Sequence, residues 1–329
     1  MGRILITGAN GFIGSTLVDE ALKIGLEVTA GVRATSDLSF LKNKPIKFLD
    51  LDFKSEDDMR TKLIASERFN YIIHNAGTTK APNRQLYFDI NAGNTERFVK
   101  VLKNNNLVPD KFVFVSSIAS LGPTIMGDII TPEKIVGPVT SYGASKLKAE
   151  EFFHSLTDFP WVIVQPTAVY GPKDKDILIF IKLVNSGFEF YIGTKKQTLT
   201  FIYSKDLVRV IFAALEKGHV GKKYIVSDTK CYEKDELGKA VRAALKKNAF
   251  KLKLPMGIIW PLAFITEKIA TLRGSSPALN REKLNELAAE SWHCDPSATY
   301  SDLGFQPEYD LYSGMKETIE WYKEHNWLN

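Results

Sequence analysis

The amino-acid sequence predicts an α/β fold, a doubly wound parallel sheet carrying a smaller C-terminal lobe. Three observations predict it. The chain opens on an apolar strand, a glycine-rich turn and the start of a helix, Ile4-Leu5-Ile6-Thr7-Gly8-Ala9-Asn10-Gly11-Phe12-Ile13-Gly14. Short apolar runs then alternate with helical stretches, the pattern of parallel strands joined by crossover helices. The fifth run, Phe112-Val113-Phe114-Val115, is apolar on both faces, as a strand between two helix layers must be.

The glycines of the opening turn have separable roles. Gly8 permits the tight turn, Gly11 lets backbone approach a phosphate, and Gly14 lets the helix pack closely on the strand. The helix beginning at Phe12-Ile13-Gly14 presents free N–H groups and its positive dipole end to a pyrophosphate. The spacing is G-x-x-G-x-x-G, with Asn10 where the commoner dinucleotide fingerprint has its second glycine. Residues 13–24 form this first helix, and Glu27 to Val32 the second strand. The exit of that strand chooses between NAD and NADP. An acid there binds the ribose 2′-hydroxyl, whereas an arginine suits a 2′-phosphate. No acid occurs before Asp37, and Arg33 holds the phosphate partner's place. NADP(H) is therefore the favoured cofactor and NAD(H) the alternative. The competing reading leaves Arg33 in solvent or stacked on adenine.

Lys47 to Phe53 reads as a third strand with a polar exit. Asp52 is placed to accept from an adenine amino group while Phe53 packs on the ring. Asp52 reads equally well as a cap for the helix at 55–66. Tyr71 to Gly77 reads as a fourth strand ending in Asn75-Ala76-Gly77, small residues needed where backbone passes a cofactor. A long helix covers 85–104 and contains Asn91. Lys111 to Ser116 is the fifth strand. It ends in Ser116-Ser117, at the carboxyl edge where α/β proteins bind ligands. Ser141 to Lys146 opens a further helix, with Tyr142 and Lys146 spaced i, i+4 on one face. An ammonium beside a phenol favours the phenolate and lowers its pKa from about 10 towards neutrality. Tyr142 is then a usable general acid or base, with a serine hydroxyl nearby to hold a substrate carbonyl.

Composition narrows the class. Hydrophobic content of 44% and charged content of 25% over 329 residues suit one large α/β domain, or a domain with a smaller lobe. The formal charge is +5, but the charges are interspersed, which argues against nucleic acid as a partner. Cys231 and Cys294 make no disulfide framework and suit a reducing cytoplasm. The five histidines lack paired ligand spacing, so no metal is expected. The apolar N-terminus is too short for a signal peptide. The most apolar run, Leu254 to Ile265, carries two prolines and is too short to span a bilayer.

Together these motifs resemble the extended short-chain dehydrogenase/reductases, the NAD-dependent epimerase/dehydratase family, nearest the branch of dihydroflavonol 4-reductases and 3β-hydroxysteroid dehydrogenases. Thr7-Gly8-x-x-Gly11-x-x-Gly14 matches the family's cofactor turn, Asp52-Phe53 its adenine-contacting pair, and His74-Asn75-Ala76-Gly77 its N-N-A-G-like segment. Asn91 to Thr95 is similar to its N-x-x-G-T segment, with Asn94 replacing glycine. Ser117, Tyr142 and Lys146 match its catalytic residues. Gln165 to Pro172 is similar to its R-P-x-x-V-Y-G-P segment, which places Pro166, Thr167 and Val169 near the nicotinamide. The resemblance implies a Rossmann-type cofactor domain over 1–172. It implies a mixed segment over 173–329 that completes the sheet and forms the substrate lobe. Ser117 would hold the carbonyl oxygen and Tyr142 would carry the proton. Lys146 would bind the nicotinamide ribose and tune Tyr142, and a hydride would pass between nicotinamide C4 and the substrate carbon. The resemblance also implies a homodimer through the helices at 85–104 and 141–157. Phe98, Val99, Leu102, Phe152 and Phe153 are compatible with that bundle and equally with packing on the sheet.

The second half must select the substrate. Thr198 to Tyr203 reads as a strand, followed by a helix from Ser204, and resembles the family's R-D-(Y/F)-I-H-V segment. In nucleotide-sugar enzymes of the family the arginine there grips the diphosphate, and here Leu199 takes its place. The missing contact is worth about 1.5–3 kcal/mol. Gln165 likewise replaces the arginine before Pro166. Met256, Trp260 and Phe264 suit an apolar substrate, as wall or lid. A membrane contact and plain lobe core are the alternatives for that run. The expected activity is an NAD(P)(H)-dependent carbonyl reductase or alcohol dehydrogenase acting on an apolar or aromatic ketone, aldehyde or secondary alcohol. One rival is a nucleotide-sugar epimerase or dehydratase with tightly bound NAD. The other is a non-catalytic NAD(P)-binding subunit or redox sensor, which would have no use for the acid–base residues Ser117, Tyr142 and Lys146.

Overall fold

Strand residues that alternate between two buried faces build the centre of the molecule. The computed structural model describes residues 2–134, 137–257, 259–261, 263–264, 266 and 281–328. The first six strands are β1 (Arg3–Thr7), β2 (Glu27–Val32), β3 (Lys47–Asp50), β4 (Tyr71–His74), β5 (Lys111–Val115) and β6 (Trp161–Pro166). Then β7 (Ala168–Tyr170), β8 (Phe188–Ile192), β9 (Thr198–Leu199) and β10 (Phe201–Tyr203), all outside the main sheet, precede β11 (Lys223–Val226). A seven-stranded sheet runs in the order β11-β6-β5-β4-β1-β2-β3, with every neighbouring pair parallel.

Helices cover both faces. α1 (Phe12–Lys23) lies on one face and α2 (Glu56–Ala65) on the other. α3 (Arg84–Phe88) leads into α4 (Asn94–Asn104), which with α5 (Ser141–His154) packs on the α2 side. α6 (Lys175–Asn185) packs in a separate cluster with Val241, Met315 and Tyr322, and α7 (Ser204–Lys217) lies beside α1. Because successive strand side chains point to opposite faces, Ile4 and Ile6 pack with Leu17 and Ile211 while Leu5 packs with Phe98 and Phe112. β12 (Tyr232–Glu233), α8 (Glu236–Leu245), β13 (Phe250–Leu254), α9 (Arg281–Ala288), α10 (Ser297–Leu303) and α11 (Leu311–Glu324) complete the chain. The direction of winding reverses at β1, which pairs with β2 on one side and β4 on the other. A ligand crevice therefore opens at the carboxyl ends of β1 and β4.

Local departures from the sequence expectation have physical causes. The third strand stops at Asp50. The stretch 85–104 is interrupted by a π-helical turn over Asp89–Gly93, and that wider turn aims Asn91 inward. The run 198–203 breaks at Thr200, whose hydroxyl donates to the Trp292 carbonyl (2.8 Å). β9 then pairs with β12 and β10 with β7. Phe98, Val99, Leu102 and Phe153 are all buried against the sheet, so only Phe152 of that set is left partly exposed. In the apolar run, Ile259 and Ala263 pack on Leu284 while Trp260 and Phe264 are exposed. Ile258, Leu262, Ile265 and Asn280 lie outside the described residues. Among the described residues, no helix is long and apolar enough to cross a membrane.

Candidate active site

Gly8 turns the chain off β1 with φ 65°, where a Cβ would stand 2.9 Å from Ala76 Cα. At Gly14 a Cβ would lie 2.0 Å from the Gly8 carbonyl oxygen. Gly11 is different. A Cβ there would meet only that carbonyl, at 3.4 Å, so no protein neighbour demands glycine. α1 starts on exposed Gly11 with no side-chain cap and no acid in its first turn. By contrast Ser55, Thr140 and Asp174 cap α2, α5 and α6. An uncapped, charge-free helix start behind a bare glycine meets the needs of a pyrophosphate. Asn10, Phe12 and Ile13 are half-buried around it.

Thr7 joins β1 to the exit of β4. Its hydroxyl contacts His74 Nδ1 (2.9 Å) and accepts the Ala76 N–H (3.2 Å). The His74 ring is enclosed by Phe53, Phe98, Phe112 and Phe114, and its Nε2 lies 3.0 Å from the Thr95 hydroxyl. Burial, with the Lys146 charge adding, pushes the His74 pKa down to about 3. The unfolded chain's histidine charges near pH 6.5, so the unfolded state binds more protons across that window. Stability is therefore lost as pH falls below about 6.5, by up to about 1.4 kcal/mol per pH unit. In His74→Asn, the fall in urea-unfolding free energy between about pH 7 and about pH 5 is expected to shrink by about 2 kcal/mol. An unchanged fall would show that His74 does not set the acid limb.

The catalytic triplet predicted from the sequence comes together at the end of β5. Ser117 starts the 3-10 turn Ile118–Ser120; its hydroxyl accepts the Ala119 N–H (3.2 Å) and lies near enough to act on the Tyr142 phenol. Lys146 stands one helical turn behind Tyr142 and is 5% exposed. Its ammonium donates to the Val115 carbonyl (2.9 Å) and lies 4.8 Å from the Phe114 ring centre. One expectation is corrected. Burial pushes the Tyr142 phenol up to about 12, with the Ser117 hydroxyl opposing and Glu286 and Tyr87 adding to the rise. Burial also brings Lys146 down to about 8. The i, i+4 spacing does put both on one helix, but the ammonium donates to the Val115 carbonyl, and desolvation of the buried phenol dominates its pKa.

Around this corner, a Cβ on Gly77 would lie 2.9 Å from Asn91 Oδ1 and 3.4 Å from Lys146 Nζ. Asn75 and Ala76 are half-buried beside it. Asn91 is fully buried; it accepts the Thr78 N–H (2.7 Å) and donates to Ser145 Oγ (2.9 Å). It thus ties the β4 exit to α5. Pro166 ends β6. Thr167 beyond it is buried, and its hydroxyl has no hydrogen-bond partner, a state worth relieving by about 1–3 kcal/mol. Val169 is half-buried in β7. The bare Gly11, the uncapped α1 and the orphaned Thr167 hydroxyl together fit a dinucleotide lying across β1 and β4.

At the outer end, Arg33 is exposed, and its N–H donates to Ser36 Oγ (3.1 Å), folding Arg33 to Ser36 into a tight turn. Asp37 is turned onto Ser39 N (2.9 Å) and Oγ (3.2 Å), away from any ribose role. Sequence order conceals Asp50, which β-sheet register sets beside Val32; it accepts from Ala34 N and Lys62 Nζ (2.8 Å each). Asp52 is exposed and accepts the Lys54 N–H (3.0 Å), but Ser55 caps α2. The Phe53 ring stands edge-on to His74 and Phe98 (5.6 and 5.4 Å).

Two expectations about the substrate divide. Leu199 packs between the Ile118–Trp292 cluster and the Tyr232 cluster, so no cation occupies its place. Gln165, however, is fully buried and donates to Ser120 Oγ and Glu150 (3.0 Å each). Its replacement of an arginine therefore says nothing about a diphosphate. Motif reading also missed Tyr87, Glu282 and Glu286. Glu282 of α9 accepts the Ser141 N–H (2.7 Å) at the start of α5, and Glu286 and Tyr87 act on the Tyr142 phenol. Chain order carries no signal for them, because α9 reaches Tyr142 only through the tertiary fold.

Comparison with known proteins agrees with this geometry. Residues 4–227 match the family described as the NAD dependent epimerase/dehydratase family. The chain is 25% identical to the human dTDP-D-glucose 4,6-dehydratase, over 99% of this chain and 92% of that protein. It is 24% identical to a putative dihydroflavonol 4-reductase of Synechocystis, over 98% of this chain and 95% of that one. Its fold superposes on a Thermus thermophilus UDP-glucose 4-epimerase solved in complex with NAD, with TM-score 0.79 and 20% identity over 98% and 99% of the two chains. With the family's pattern running from the first strand through β11, the chain belongs to the NAD-dependent epimerase/dehydratase family, the extended short-chain dehydrogenase/reductases, and is an NAD-dependent enzyme of that type.

Proposed function

We propose that this enzyme is an NADP(H)-preferring oxidoreductase acting on an apolar or aromatic ketone, aldehyde or secondary alcohol. The observation that carries the chemistry is the placement of Ser117 at the carboxyl end of β5, near enough to act on the buried Tyr142 phenol, with Lys146 one helical turn behind and bound to the Val115 carbonyl. NAD(P), when bound, supplies the hydride acceptor or donor. Ser117 holds the substrate oxygen, and Tyr142 moves the proton at that oxygen. Lys146 holds the ribose hydroxyls and keeps a positive charge beside the reacting centre. Gly8, Gly11 and Gly14 with Asn10, Phe12 and Ile13 hold the pyrophosphate. Asp52 and Phe53 hold adenine, and Asn75, Ala76, Gly77, Pro166, Thr167 and Val169 line the nicotinamide side.

Leu199 supports the apolar substrate, because a diphosphate would lie against a packed aliphatic chain instead of a guanidinium. A second reading, a nucleotide-sugar epimerase or dehydratase, is favoured by the names of the relatives, which match across the whole chain. The test is NADPH consumption, with NADH in parallel, across apolar aldehydes and ketones, with UDP- and dTDP-sugars assayed beside them. Turnover of ketones supports the first reading, and conversion of sugars without net cofactor use supports the second.

Arg33→Ala is expected to raise Kd for NADPH by about tenfold or more, one charge-assisted phosphate contact of about 1.5–3 kcal/mol, while leaving NADH within about twofold. Fluorescence titration reads both, and equal losses would remove the 2′-phosphate assignment.

A further inference from the structure

One buried carboxylate near the catalytic triplet is not used by the proposed chemistry. Glu150 lies on α5, one turn beyond Lys146, and is 1% exposed. A carboxylate so enclosed is retained only where donors surround it. Ser116 Oγ donates to it at 2.5 Å, Ser120 Oγ at 2.7 Å and Gln165 Nε2 at 3.0 Å. Lys223 Nζ of β11 stands 3.9 Å away. The residues it gathers bracket Ser117. Ser116 precedes Ser117, and Ser120 also contacts the Ser117 carbonyl (2.8 Å). The charged and titratable groups that face it are Lys146 and His154 on its own helix and Lys223 from β11.

We propose that Glu150 is a positioning residue for the active site, holding the Ser116–Ser120 turn that presents Ser117 and balancing the buried charge of Lys146. The proposal rests on the reading of Lys146 as a cofactor-binding ammonium. Two lines of geometry converge on it. One carboxylate spans β5, β6, β11 and α5, so the turn carrying Ser117 is referenced to the helix carrying Tyr142 and Lys146. The anion also lies one turn along the same buried helix face from Lys146, whose ammonium meets a carbonyl and a phenyl face. Burial lowers Lys146 to about 8 while Glu150 opposes that fall. Without Glu150 the ammonium would lose its proton at a lower pH.

The experiment follows Kd for NADPH against pH by fluorescence, in the full-length protein. Wild type is expected to bind at constant strength up to about pH 8 and to weaken above it. Glu150→Gln keeps the shape and one acceptor oxygen but removes the charge. The onset of weakening should then move down by about one pH unit or more, and Glu150→Asp should restore most of it. A merely structural role would weaken binding equally at every pH. Lys146→Met should abolish the pH dependence. If it does so while Glu150→Gln leaves the onset where wild type has it, the role of Glu150 is overturned. If Lys146→Met keeps the wild-type dependence, the Lys146 assignment fails and this proposal with it. Should Glu150→Gln not fold, Glu150→Asp decides. Withdrawing the carboxylate by one methylene should lower the onset by several tenths of a pH unit, and an onset left where wild type has it overturns the proposal.

Discussion

Tyr142→Phe is expected to lower kcat by about 10²–10⁴-fold, the range a positioned general acid or base supplies, equivalent to about 3–5 kcal/mol. The substitution removes the hydroxyl to which the proposed function assigns the proton at the substrate oxygen. The ring remains, and α5 keeps its Thr140 cap and the Glu282 contact at Ser141. The fold and the cofactor corner should therefore survive, with Kd for NADPH within about twofold of wild type. The measurement pairs steady-state rates on the best substrate of the panel with a cofactor titration. A variant within about threefold of the wild-type rate would show that the proton comes from elsewhere.

Gly14→Ala should show the largest effect on stability. Its Cβ would fall 2.0 Å from the Gly8 carbonyl and 2.8 Å from Ala9 Cα, both backbone. Backbone cannot rotate away as a side chain can, so α1 must shift off β1. Overpacking of this kind costs about 1–3 kcal/mol, and more where nothing can yield. A loss of about 3 kcal/mol is expected in urea unfolding. A loss of tenfold or more in NADPH affinity should accompany it, since the helix N–H groups move with the helix. Gly11→Ala is the control. There is room for its methyl group against the protein, so stability should change by less than about 0.5 kcal/mol while cofactor affinity falls. Equal behaviour of the two variants would show that Gly11 serves packing and not a ligand.

The buried Lys146 and His74 place opposite electrostatic demands on the site. His74 must stay neutral beneath Phe53, whereas Lys146 must stay charged a few residues away in space. His74 meets its demand by deep burial among phenyl rings, with hydroxyl partners on both nitrogens. Lys146 meets its demand through an anion placed one turn along the same helix. Both effects depend on which side chains burial brings together.

Much of the fold was legible in the chain itself. The strand–glycine–helix opening, the apolar strand Phe112 to Val115 and the alternation of strands with helices are local features. Backbone periodicity and glycine's freedom determine them wherever they occur. The Tyr142 and Lys146 spacing was equally local, because helix geometry alone puts them on one face. Tertiary structure decided what those residues experience. Tyr142 rises to about 12 because desolvation is set by everything packed around it, including Glu286 and Tyr87 from distant parts of the chain. Gln165 turned out to serve a buried carboxylate, and Asp50 reached the exit of β2, because strand register joins residues far apart in order. Sequence spacing reports short-range geometry, whereas burial and long-range pairing exist only once the sheet has closed.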